Sequence, residues 1–136
     1  MSLPEDAARR RFAAARVARL ATASPDGRPH LVPIVFAVAG DVVYHGVDAK
    51  PKRHTTLRRL ANLRANPQVS LLVDHYDDDW SRLWWVRVDG RAREVDPAAA
   101  EGAAALELLA ARYPDFRLTG ALIAIDVTTW SGWSAA

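Results

Sequence analysis

The chain has 136 residues, half of them apolar and a quarter charged, with a formal net charge of +2 and no cysteine. That balance fits one folded domain, residues 1–136, with its own core, and excludes a disordered or strongly polycationic chain. The lack of cysteine excludes disulfide stapling, thiolate metal sites and cysteine nucleophiles, as expected for a cytoplasmic protein, and no apolar run approaches the ~20 residues of a membrane-spanning helix.

The opening MSLPEDAARRRF has no apolar stretch of the kind a secretory signal needs. Ser2, Pro4 and Glu5 read as a helix start with a capping box, and the helix is expected to reach about Ala15. Val17 to Ala23 alternates with period two and reads as a strand. Ser24-Pro25-Asp26-Gly27 is a turn signal, so Arg28 to Val38 is expected to return as a second strand. A turn at Ala39-Gly40-Asp41 leads into a third strand, Val42 to His45.

A basic segment follows. Lys50, Lys52, Arg53, Arg58, Arg59 and Arg64 fall within fifteen positions. Thr55 or Thr56 is expected to cap a helix that ends near Ala65, before Asn66-Pro67, with Leu57, Leu60, Ala61 and Arg64 on one face and Arg58, Arg59 and Asn62 elsewhere. Gln68 to His75 reads as a strand. The acidic loop Asp77-Asp78-Asp79 comes next, then a long or bulged strand within Trp80 to Val95 that sends Trp85, Arg87 and Asp89 to one side and Trp84, Val86 and Val88 to the other. Asp96-Pro97 opens a helix whose stripe is Leu106, Leu109, Ala110 and Tyr113. Ala121 to Val127 is a last strand, and Thr129 to Trp133 an aromatic tail. The fold class is mainly β: six or seven antiparallel strands with short flanking helices, in a closed or partly closed barrel.

No metal or nucleophile motif is present: the four histidines lack a ligand spacing, and there is no G-x-S-x-G, Walker or G-x-G-x-x-G sequence. An enzyme without such groups takes its chemistry from a cofactor. The basic segment suits an anion cradle, because arginine forks, lysines, threonine hydroxyls and helix N–H groups coincide there. The competing view is a solvated charged face. Nucleic acid is disfavoured by the small net charge and by the acidic loop. Of Trp80, Trp84, Trp85, Trp130 and Trp133, at least half are expected in core or interface packing, and the others could line a slot for a tricyclic ring.

The order and spacing of three stretches carry a resemblance: Arg19 to Phe36, Arg59 to Val73, and Val88 to Ala92. Together they resemble the pyridoxamine 5′-phosphate oxidase-like split β-barrel flavoproteins, and Val73 to Val86 resembles more narrowly the mycobacterial-type branch that depends on deazaflavin F420. This resemblance implies a homodimer with two cofactor sites at its interface. It also implies that Arg59 and Asn62 match a basic-x-x-Asn-Leu motif near the cofactor phosphate, with Lys52 and Arg58 as helpers; Lys50, Arg53, Thr55 and Thr56 are expected in the same cradle from the basic segment itself. Pro33, Ile34 and Val35 would offer backbone to the ring, with Trp85 nearby, and Trp130 and Trp133 correspond to a tail that approaches the partner's site. The length of the basic patch favours F420, with its phosphodiester and glutamate tail, over the single phosphate of FMN. The expected reaction is hydride transfer between F420 and an electron-poor small molecule. The alternatives are an FMN-binding oxidoreductase of the same fold and a non-catalytic F420- or flavin-binding protein.

Overall fold

The computed structural model describes residues 1–47 and 53–136, with the backbone alone for 53–57. Seven strands form one antiparallel sheet: β1 (Ala18–Ala23), β2 (Pro29–Ile34), β3 (Ala37–Ala39), β4 (Val42–Gly46), β5 (Gln68–His75), β6 (Trp84–Val95) and β7 (Leu122–Ser134). Among the described residues three α-helices accompany them: α1 (Glu5–Ala14), α2 (Arg53–Ala65) and α3 (Ala100–Arg112). Among the described residues no helix is long and apolar enough to cross a membrane.

The spatial order is β2-β1-β5-β6-β7-β4-β3. The turn after β1 forms as its sequence dictates: Gly27 takes φ +86° and donates to the Ser24 carbonyl at 2.9 Å. The expected second strand is interrupted, however. It breaks at Val35–Phe36, so that β2 pairs with β1 at one edge of the sheet while β3 pairs with β4 at the other. Three steps of extended chain span at most ~11 Å. The two edges must therefore approach each other, and the sheet curls into a split barrel. The break is held from outside. Arg112, at the end of α3, donates to the carbonyls of Phe36 (2.8 Å) and Ala15 (2.7 Å), and the Tyr113 hydroxyl lies 3.0 Å from the Phe36 oxygen.

Inward residues alternate along the strands. Leu20, Leu71, Val73, Val86, Val88, Ile123 and Ile125 fill the barrel, and α1 closes it with Phe12, whose ring is 4.8 Å from Phe36 and 5.7 Å from Trp130. A second cluster joins α3 to β3, β4 and β7 through Ala37, Tyr44, Ala105, Leu109 and Leu122.

Four local expectations need correction. Ser2 does not cap α1; it bridges to Trp133, and Leu3 donates to the Gly132 carbonyl, so the first residues run as an extension of the sheet. Thr55 and Thr56 lie inside the first turn of α2 and do not precede it. Asp96 forms a turn, its carboxylate accepting from Ala98 N at 2.9 Å, so α3 starts only at Ala100; Gly102, Ala105 and Leu109 are its buried stripe, and Ala110 is exposed. Finally, Thr129 to Trp133 is not a tail. It is the second half of β7, laddered to β6 from end to end, with Val88 opposite Trp130 and Trp85 opposite Trp133.

Candidate functional site

Helix α2 turns an unexpected face to the barrel. Arg59 (8% exposed), Asn62 (4%) and Leu63 (6%) point inward at i, i+3 and i+4. Ala61 and Arg64 are exposed, and Arg64 pairs with Glu94 at 2.6 Å. The surface that α2 meets is partly polar, which explains the choice. Asn62 Nδ2 donates to Thr22 Oγ1 on β1 at 3.1 Å, with both groups buried. A buried amide needs such a partner, and the pair fixes the rotation of the helix.

That rotation places positive charge at one corner of the barrel. Arg58 faces solvent and Arg59 lies beneath it. Both guanidinium charges act on His30 of β2, which burial, first, and then these charges hold below the ordinary imidazole range. Arg59 also acts on His45 of β4. Full enclosure, helped by Arg59, pushes His45 down to about 3, so it is neutral at pH 7. Lys50 and Lys52 lie outside the described residues, as do the side chains of Arg53, Thr55 and Thr56.

The run expected to offer backbone to a ring begins at the end of an edge strand, with Pro33 and Ile34 closing β2 and Val35 in the break that follows. Pro33 and Val35 face outward and Ile34 is buried in the core. Pro29 and Pro33 lack an N–H, which blunts this edge against further pairing.

On the outer face of the same sheet lies a groove of about 660 Å³. Its floor follows the strand registers: Leu31 beside Ala21, Arg19 beside Leu72, Leu72 beside Arg87, Trp85 beside Trp133. Leu31 is 66% exposed and Leu72 is also exposed, while Arg87 lies over the Trp85 ring at 5.9 Å. Trp85 and Trp133 are thus brought together. Trp130 is not with them: it is buried against Phe12, its Nε1 donates to Asp41 at 3.1 Å, and Arg9 covers its ring at 5.0 Å. It is a core residue of the barrel.

Sequence reasoning did not single out Arg19, Leu31 and Leu72 for the groove, or His30 and His45 for the corner. The signal for the groove was available: apolar side chains stand at outward positions of β2 and β5, where alternation calls for polar ones.

The family model for pyridoxamine 5′-phosphate oxidase matches residues 4–134, and the chain belongs to that family. Solved structures share the fold. A FAD-binding protein from Mesorhizobium loti is 24% identical with a TM-score of 0.76, covering 97% of this chain and 95% of that one. A FAD-binding protein from Mycobacterium smegmatis is 21% identical with a TM-score of 0.73, covering 98% and 96%. A heme storage protein from Vibrio cholerae is 15% identical with a TM-score of 0.73, covering 97% and 95%. No curated protein matches the chain. The family takes its name from an oxidase, and its fold also serves binding proteins.

Proposed function

We propose that the protein is an F420-dependent reductase that works as a homodimer. The observation that carries this reading is the positive corner at α2: Arg58 in solvent above the buried Arg59, on the helix that Arg53 opens and that Lys50 and Lys52 precede in the chain. An anionic cofactor would lay its phosphate there, with Arg58, Lys50, Lys52, Arg53, Thr55 and Thr56 as direct ligands. Arg59 and Asn62 would act from below, as field and scaffold. The deazaflavin supplies the hydride chemistry when bound. The chain's own part is to hold the phosphate, to present Pro33, Ile34 and Val35 to the ring, and to keep water from it.

F420 is favoured over FMN because its phosphodiester and glutamate tail need more cations than one phosphate does. Each charge-assisted contact contributes roughly 1.5–3 kcal/mol when desolvated, and much less at an exposed rim. The apolar outer groove suits burial against a second copy, in which Trp85 and Trp133 would approach the partner's cofactor.

A second reading keeps the site and places a flavin in it, as a catalyst or only as a bound store. The flavin-binding and heme-storing proteins that share the fold favour it. The colour of the purified protein separates the two. From a host without F420 the protein should emerge colourless; a yellow preparation with stoichiometric flavin would favour the second reading.

A further inference from the structure

The inward positions of β2 are His30, Val32 and Ile34. Val32 and Ile34 pack into the apolar core, and His30 is the polar member of the row. It stands directly opposite Thr22 in the β1–β2 ladder. Residues paired in this way send their side chains to the same face, with Cβ atoms about 5 Å apart. Thr22 is the group that holds Asn62 of α2, so His30 comes under the same stretch of that helix, within reach of the charges of Arg58 and Arg59. From α2 these two guanidinium groups face it, and from β1 the Thr22 hydroxyl does; across the interior, His45 of β4 shares the field of Arg59. Among the described residues no carboxylate acts on His30.

The two histidines differ in access. His45 is fully enclosed and stays neutral. His30 is half-buried on an edge strand, so water and a bound ion can reach its ring. Its Nδ1 is buried and has no hydrogen-bond partner. Nothing in the fold therefore commits the ring to one protonation state.

We infer that His30 is a third, conditional cation of the anion site: it takes up a proton as a polyanionic ligand settles at the Arg58 corner, so that ligand and proton reinforce each other's binding. The inference rests on the proposal that this corner seats the cofactor phosphate. In the protein alone, partial burial and then the two guanidinium charges disfavour the imidazolium. A phosphodiester beside the guanidinium groups offsets their charge and supplies an opposite one, which favours it. The complex then holds more protons than the free protein. Ligand affinity therefore rises as pH falls through the interval between the free and the bound pKa of His30, and levels off on either side.

The test follows the His30 ring by NMR through a pH titration of the wild-type protein, with and without saturating F420. The midpoint should rise by about one pH unit or more in the complex. F420 affinity is measured in parallel between about pH 8 and pH 6. The gain in wild type should exceed that in His30→Gln by about threefold or more, a comparison that cancels the ligand's own ionisation. His54, in the first turn of α2, titrates in the same range, and His54→Gln should keep the wild-type gain. A midpoint unmoved by bound F420 overturns the inference, as does an equal gain in His30→Gln; the NMR arm decides alone if that variant does not fold. If F420 does not bind, the cofactor reading fails, and sulfate at constant ionic strength replaces it. A His30 midpoint raised by sulfate in wild type and not in Arg58→Ala then upholds the proton-linked anion site, and an unmoved midpoint overturns it.

Discussion

Asn62 and Thr22, forty residues apart, share a buried hydrogen bond of 3.1 Å, and this bond sets which arginine of α2 reaches solvent. With Asn62 turned to β1, Arg59 is drawn inside one turn earlier and Arg58 is left outside. Neighbours in sequence therefore have different duties. Arg58→Ala should weaken F420 binding about tenfold, the value of one partly exposed charge-assisted contact, and leave the melting temperature within a degree or two. Arg59→Ala should instead destabilise the fold by about 2–4 kcal/mol, through the packing lost under the helix. Thermal melts and titrations on both variants separate the roles; equal losses of stability would contradict them.

The tryptophans of β7 divide in the same way. Trp130 fills the core beside Phe12, so Trp130→Ala should cost about 3–5 kcal/mol. Trp133 lines the outer groove, and its removal should cost the subunit little. The groove floor is where a second copy is proposed to sit. Leu72→Asp should convert a dimer to a monomer in light scattering at micromolar protein, because a charge would be buried without a partner.

His45 gives the protein an acid sensitivity. Its folded pKa, about 3, lies below the unfolded value near 6.5. The unfolded chain therefore binds the proton more readily. The stability contributed by neutral His45 is complete above pH 6.5 and is lost as pH falls from there towards 3. His30 is shifted the same way. Glu101, held down to about 2 first by Arg93 and then by the Tyr44 hydroxyl, adds a further loss, but only below about pH 4.5. Melting temperature should thus already decline between pH 6.5 and 4.5, and His45→Phe should flatten that window and leave the steeper fall beneath it. A decline there that is unchanged in His45→Phe would refute the assignment.

At the irregularity in the β6–β7 ladder, Gly90 faces the backbone of Asp126, and a Cβ at Gly90 would lie 2.5 Å from the Asp126 carbonyl oxygen. Backbone cannot move aside as a side-chain tip can. Gly90→Ala should destabilise by about 2 kcal/mol or more, read as a shift in denaturation midpoint without a change in slope.

Much of this architecture is legible in the sequence where local signals agree. The limits Gln68 and His75 of β5, the Ser24–Gly27 turn and the two faces of β6 follow from alternation and turn chemistry alone. Other features depend on long-range contacts. The break at Val35–Phe36 lies in an apolar run with no turn residue, and it exists because Arg112 and Tyr113 hold the Phe36 carbonyl. The end of β7 contains Thr, Ser and Gly and reads as a terminus until β6 is placed beside it. The inward face of α2 is hidden because arginine and asparagine normally mark a solvent face; only the Thr22 hydroxyl across the interior makes it a buried one. The basic segment was visible as charge, but its division into an exposed Arg58 and a buried Arg59 was not.

The most direct test of the central claim is a parallel titration of the purified protein with F420 and with FMN, followed by tryptophan fluorescence. The proposed function predicts F420 binding in the low micromolar range or tighter, weaker FMN binding, and a marked loss of F420 affinity in Lys52→Ala/Arg58→Ala. Tight FMN binding with no response to F420, or F420 binding unaffected by that double substitution, would contradict it.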